Sequence, residues 1–321
     1  MKKRNLLKLA AGLVVLGLSG TGFAQAWPTK VVTIVVPFPP GGTTDVLARE
    51  VALKLAPVIG QQVIVENKPG AGATLGAGYV AKAPADGHTL LMGAVHHTIA
   101  SSVYTKLPYD FQKDFAPITT VALVPNILVV SSDKPYKTLK DLTAEAKKTP
   151  LSYGSNGSGT AQHMIGTQFQ ASIGAEILHV PYKGSAPLTT DLLGGQVNMS
   201  FDTITPVLPF IKAGKLTPIA VTTSKRSSTL PNVPTLQELG MKDMNIGTWF
   251  GLLAPAATPK AVQEKLNAEV VKIIQSAEFK KKMFDIGAEP IGNKQEEMAK
   301  QIKEETEKFK HLVKVGKVTV Q

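Results

Sequence analysis

Short β-branched, apolar runs alternate with helix-patterned segments almost from end to end, and this alternation constrains the fold more than any other feature of the 321-residue chain. Strands separated by helices build parallel pairs, with helices on both faces of the sheet. Val31 to Val36 is a continuous apolar run, as expected of a strand buried on both faces, and Pro37 to Gly42 cannot extend it. Val46, Leu47, Val51, Leu55 and Val58 then recur at helical spacing, behind Thr43 or Thr44 as cap and ahead of Gly60 as stop. Strand Gln62 to Glu66, glycine turn Pro69 to Gly72, a helix to Lys82 and strand Thr89 to Ala94 follow.

A second set begins near Asn126 with strand Ile127 to Ser131 and a helix opened by Thr138, with Asp141 three residues on as a variant capping box. Strand Leu151 to Tyr153, helix Ala161 to Ser172, strand Ile177 to Pro181, helix Ala186 to Leu193 and strands Val197 to Phe201 and Thr217 to Thr222 complete it. Thr235 to Glu238 reads as another capping box, Trp249 to Pro255 as the return, and the tail is helical behind Thr258–Pro259 and Asn293. The predicted fold is α/β in two lobes, each a mainly parallel sheet flanked by helices. Lobe one is drawn from residues 27–125 and 246–321, lobe two from 126–245, and the two crossings form a hinge.

Residues 1–26 have the layout of a secretory leader: Lys2, Lys3, Arg4 and Lys8, an apolar run from Leu9 to Leu18, then Ala24 and Ala26. The run is roughly half of the ~20 residues that a bilayer span needs, so cleavage after Ala26 into the periplasm is expected. The chain has no cysteine, which excludes disulfides, thiolate metal sites and a lipidated cleavage-site thiol. Loss of the leader's four cations lowers the formal charge from +11 to +7. The remaining lysines are scattered and form no basic stripe, so nucleic acid is not an expected partner. Only Arg49 and Arg226 remain beyond the leader, so an anionic ligand must be held mainly by backbone amides.

Four turns stand at the carboxyl ends of predicted strands, where open α/β folds bind ligands. They are the stretch holding Phe38, Pro40, Gly41, Gly42, Thr43, Thr44 and Asp45; the turn with Ala71 and Gly72; the loop of Ser155, Gly157, Ser158, Gly159 and Thr160; and Asp202–Thr203. Glycines let a ligand approach the backbone, and helix starts offer unpaired N–H groups to an anion. Any single such turn is equally readable as an ordinary connector. Asp45 suits an orienting role, since it would repel an anion placed against it. His163 reads either as a ligand contact or as a structural one, and Trp249 chiefly as core. Gly70, Gly72 and Gly76 miss the dinucleotide fingerprint, and the Gly154–Thr160 loop lacks a phosphate-loop lysine. No nucleophile–base arrangement and no metal-ligand spacing appears among the six histidines and the carboxylates, so neither an enzyme nor a cofactor is expected.

Taken in order, Val35–Gly42 with Asp45 and Arg49, Glu66–Gly72, Asp86–Leu90, Tyr153–His163, His179–Gly184, Asp191–Val197 and Leu230–Thr235 resemble the extracytoplasmic solute receptors of the tripartite tricarboxylate transporter family, across essentially the whole mature chain. The resemblance implies a two-lobed clamshell, a small organic carboxylate as ligand, a separate membrane permease as partner, and a monomeric receptor. It also implies that Phe38–Asp45 with Ala71 and Gly72 holds a carboxylate, with Ser155–Thr160, His163 and the Asp202 region facing it from lobe two. Ala73 and His88 depart from the family's usual Gly and Tyr. The alternative is a receptor of similar shape serving another transporter class or a sensory system.

Overall fold

The computed structural model describes residues 27–316; the leader and its cleavage site lie outside them. The chain first forms β1 (Val32–Val36), α1 (Thr43–Ile59), β2 (Val63–Asn67), a 3-10 turn at Ala71–Ala73 leading into α2 (Thr74–Ala81), β3 (Thr89–Ala94), α3 (His96–Val103) and β4 (Phe115–Pro125). It then crosses into β5 (Ile127–Ser131), α4 (Leu139–Ala146), β6 (Leu151–Ser155), α5 (Ala161–Ile173), β7 (Ile177–Pro181), α6 (Ser185–Leu193), β8 (Met199–Ser200), α7 (Ile204–Lys212) and β9 (Leu216–Val221). It returns through β10 (Gly247–Pro255), α8 (Lys260–Gln275), α9 (Ala277–Asp285), β11 (Glu289–Pro290) and α10 (Gln295–Gly316).

Two sheets result, ordered β11-β4-β10-β3-β1-β2 and β7-β6-β8-β5-β9. Most strands of each sheet run in one direction, as expected, and both sheets are mixed. β1, β2 and β3 are mutually parallel, but β10 is antiparallel to β3 and β4; in the second sheet β6, β7 and β8 are parallel, while β5 is antiparallel to β8 and β9. The cause is the double crossing. β5 and β10 each carry the chain into a sheet from a crossing, so they start where the other long strands end and must run against them. The remaining strands, β11 aside, deliver their carboxyl ends, and the helix starts that follow, to the gap between the sheets.

Packing follows the apolar pattern. Val32, Ile34, Val35 and Val36 of β1 are fully buried; Leu47, Val51 and Leu55 of α1 press onto Val32, Ile34 and Val36 from one face, and Val35 packs on the other. Each such side chain contributes about 1.5–3 kcal/mol by leaving water. Gly42, in an extended conformation, precedes α1 in place of a threonine cap, and left-handed Gly60 ends it by donating to Ala56 O. The Thr235–Glu238 box does form, Thr235 N donating to Glu238 Oε2 at 2.7 Å and Glu238 N to Thr235 Oγ1 at 3.0 Å, but it closes a turn and starts no helix.

Asn126 ties the crossing strands together. Its Nδ2 donates to Phe201 O (3.0 Å), its Oδ1 accepts from Thr248 Oγ1 (2.7 Å), and its carbonyl accepts from Thr222 N (2.9 Å). One wholly buried amide thus fastens β5, β10 and the end of β9 at a single point.

Candidate functional site

Strand direction decides what lines the gap. Gly42, Thr43 and Thr44 open α1, His96 is the first residue of α3, Gln162 lies in the first turn of α5, Ser185 opens α6 and Thr203 caps α7; all border one narrow cavity with Phe38, Pro39, Asn156 and Phe250. With the lobes this close, the space left there is about 20 Å³, room for a single water. Five helix starts therefore converge on one space, each bringing unpaired N–H groups and a partial positive charge. A second cavity of about 330 Å³ shares Phe38, Pro39 and Asn156 and continues outward past Gly72, Tyr104, Gly157 and Lys183. No arginine lines either space: Arg49 pairs with Asp45 and Arg226 with Glu238. Among the described residues no cluster of His, Asp or Glu could hold a metal ion.

The lobes meet directly across this gap. Thr43 Oγ1 and Thr203 Oγ1 are 2.7 Å apart, Tyr104 Oη donates to Ser158 O at 3.1 Å, and Ala161 N donates to His96 Nδ1 at 3.0 Å. The structure is a closed clamshell.

The chain matches the family described as tripartite tricarboxylate transporter family receptor over residues 47–317. It is 34% identical to BugT of Bordetella pertussis over 292 residues, 90% of each chain. Among solved structures, the periplasmic binding protein BugD is 36% identical with a TM-score of 0.88, and Rpa4515 of R. palustris, solved with adipate, is 36% identical with a TM-score of 0.89; each match covers 92% of this chain and all of the other. The chain belongs to this receptor family. It is a periplasmic solute-binding receptor and not an enzyme.

On the lobe-one side of the receptor's cleft, the turn before α1 is held from behind. Asp45 accepts from Gly41 N (3.1 Å), from Arg49 Nε and Nη2 (3.0 and 2.9 Å) and from Asn67 Nδ2 (2.9 Å), and Asn67 Nδ2 also reaches Phe38 O (3.0 Å). Burial works to raise the Asp45 carboxyl, but the Arg49, Asn67 and Gly41 hydrogen bonds outweigh it and hold the group below its ordinary value.

On the lobe-two side, Asp202 is fully buried, and burial pushes its carboxyl up against the opposing bonds from Ser185, Asn156 and Thr203. Its Oδ1 accepts from Thr203 N (2.8 Å), Asn156 Nδ2 (3.0 Å) and Gln162 Nε2 (3.4 Å). A carboxylate oxygen can only accept, so both amides must turn their NH₂ groups toward it. Asn156 Oδ1 and Gln162 Oε1 are then left buried without a partner.

The receptor's candidate residues divide into two groups. Phe38, Gly42, Thr43, Thr44 and Thr203 line the inner cavity, and Phe38, Ala71, Gly72, Gly157 and Ser158 line the outer one. Pro40, Gly41, Asp45, Ser155, Gly159, Thr160, His163 and Asp202 line neither. Pro40 and Gly41 lie on the solvent side of their turn. Asp45 and Asp202 stand behind the walls as anchors. Ser155 Oγ is 2.6 Å from His179 Nε2, Thr160 Oγ1 donates to Gly157 O (2.7 Å), and His163 stacks on His179 at 4.1 Å while accepting from Gly159 N (3.1 Å). These side chains are occupied in shaping the loop. Residues that sequence reasoning missed are His96, Asn156, Gln162, Ser185 and Tyr104. Asn156 and Ser185 stood inside or beside motifs already singled out; His96 carried no signal, because its partner is 65 residues away.

Proposed function

We propose that this receptor, freed of its leader after Ala26, closes its lobes on a small organic carboxylate bearing a hydroxyl or amino group and delivers it to the permease of a tripartite transporter. The lobes comprise residues 27–125 with 246–321, and 126–245. The hydrogen bonds of Asn126 to both returning segments support a hinge there, and hinge closure stabilised by ligand is how such a clamshell reports occupancy.

The observation that carries the carboxylate assignment is the convergence of five helix starts on a cavity without arginine. Amide donors and helix dipoles favour negative charge there, and no guanidinium competes. The adipate held by the R. palustris relative supports a small organic acid as ligand. The added donor group follows from lobe two. Asn156 Oδ1 and Gln162 Oε1 are buried acceptors without partners, each costing about 1–3 kcal/mol unless something donates to it. A plain dicarboxylate dianion has no proton to give; a hydroxy or amino acid does.

Calorimetric titration with succinate, malate and aspartate tests both parts. Saturable binding is expected, with malate or aspartate tighter than succinate by about tenfold, the worth of one hydrogen bond of about 1.4 kcal/mol. Absence of saturable binding by any hydroxy, amino or plain dicarboxylic acid would end the carboxylate assignment; equal affinities would end the donor assignment alone.

A further inference from the structure

We propose that His96 is a ligand-contacting residue that couples binding to lobe closure: its Nδ1 holds the first amide of α5 across the cleft, and its Nε2–H is given to an oxygen of the ligand. This rests on the carboxylate reading above and adds the residue through which occupancy and closure are linked.

The tautomer is fixed by geometry. Ala161 N, a backbone donor, points at Nδ1 from 3.0 Å, so Nδ1 carries no proton. A neutral imidazole then has its single proton on Nε2. The ring is 3% exposed, and burial, with the neighbouring His97, opposes the protonated form. Its plane is set by Phe38, whose ring meets it edge-on at 5.4 Å and 76°. The ring's hydrogen bond among the described residues is made by Nδ1, and the ring lines the inner cavity, so the Nε2–H is a neutral donor left for a ligand.

His97 cannot take this role. Its Nδ1 lies 3.1 Å from Ala94 N and 3.0 Å from Ala94 O, and its ring stacks on Phe111 at 5.1 Å, away from the cleft. Ala161 is also the first residue of α5, so its N–H has no partner within that helix. In an open clamshell that amide turns to water. Closure exchanges water for the imidazole, and the same event delivers Nε2–H to the cavity, so a ligand oxygen at that point is rewarded only when the lobes are shut.

Three substitutions separate the two bonds. His96→Asn keeps an acceptor near the Nδ1 position and loses the far N–H; His96→Gln keeps a donor near Nε2 and loses the near acceptor; His96→Phe loses both. The probe is whichever of malate, aspartate and succinate binds the unaltered receptor most tightly, titrated by calorimetry. The closed fraction is read from the distance between spin labels on one cysteine introduced in each lobe, which the cysteine-free chain allows. His96→Asn is expected to weaken binding about tenfold with closure retained, His96→Gln to lower affinity and closed fraction together, and His96→Phe to weaken binding by about a hundredfold. Affinity and closure within twofold of the unaltered receptor in His96→Phe would overturn the proposal. A second arm needs no ligand and no change at His96: imidazole ¹⁵N spectra of the receptor, locked shut by a disulfide between two cysteines introduced across the cleft, are expected to show His96 with a bare Nδ1 and a protonated Nε2. The reverse tautomer would refute the latch, whatever the receptor binds. Failure of every acid to bind, with the expected tautomer present, would instead count against the carboxylate reading.

Discussion

At the scale of single residues, the site works by using charges as anchors and leaving neutral groups at the walls. Asp45 illustrates the arrangement. Its side chain is nearly buried and accepts from a backbone amide, an asparagine and both forks of Arg49, which fixes the turn whose far side offers Thr43 and Thr44 to the cavity. Arg49 is half exposed, so the ion pair itself is worth no more than about 1 kcal/mol. The larger cost of Asp45→Ala comes from removing the buried acceptor that ties Gly41 N, Asn67 Nδ2 and Arg49 to one another; Asn67 keeps only its bond to Phe38 O and Gly41 N turns to water. A stability loss of about 2 kcal/mol by denaturant unfolding is expected, together with weaker acid binding, because the turn loses its tether. Arg49→Lys, which retains one bond and the charge, should cost less than half as much. Equal losses for the two would show that the ion pair, and not the buried acceptor, holds the turn.

At the scale of elements, the glycine turn before α2 sets how closely the lobes can approach. Gly72 has φ +57°, and a Cβ placed there would lie 2.5 Å from Ser158 O and 2.6 Å from the Tyr104 hydroxyl. The first clash is with lobe two's backbone and exists only when the lobes are shut. Gly72→Ala should therefore hold the clamshell open and weaken acid binding by tenfold or more, at some cost in stability from the left-handed backbone and the Tyr104 contact within lobe one; unchanged closure in solution scattering with saturating acid would contradict this. Much of the element order was legible in the sequence because strands buried on both faces read as unbroken apolar runs: β3 and β5 match their expected bounds, and β7 matches as well although it is a half-exposed edge strand. Two helices that supply cavity walls were not. α7 carries Pro209 in its interior and α3 is short and begins with two histidines, so helix propensity is weak in both. Tertiary burial overrides this: Ile204, Val207 and Leu208 of α7, and Ile99 and Val103 of α3, pack into the core. The glycine turns were visible as punctuation, but the side chains between them that face the ligand, such as Asn156 and Ser185, are ordinary polar residues until the fold brings them together.

At the scale of the whole molecule, buried neutral histidines make stability depend on pH. Burial lowers His96 to about 3 and His97 to about 4, whereas both titrate near 6.5 when exposed. Between those values the unfolded chain binds more protons than the folded one, so their contribution is intact above pH 6.5 and declines as pH falls toward 4. The decline is at most about 1.4 kcal/mol per unit for each ring. The buried Asp202 and Glu305 carboxyls, both raised chiefly by burial, act in the opposite sense, so a difference between proteins is the informative quantity. His96→Phe should show a stability-versus-pH slope smaller by about one proton in this window; an unchanged slope would mean that His96 is charged or exposed in the folded receptor.

The central claim, that helix starts facing one another across the closed lobes select negative charge, is tested most directly by thermal unfolding with paired ligands. Hydroxy, amino and plain dicarboxylic acids are each compared with their uncharged amides at equal concentration. At least one acid should raise the midpoint, by about 2.7 kcal/mol of added stability at 100 times its dissociation constant, while its amide leaves the midpoint unmoved. Amides that stabilise the receptor as well as their acids do, or a midpoint that no acid moves, would contradict it.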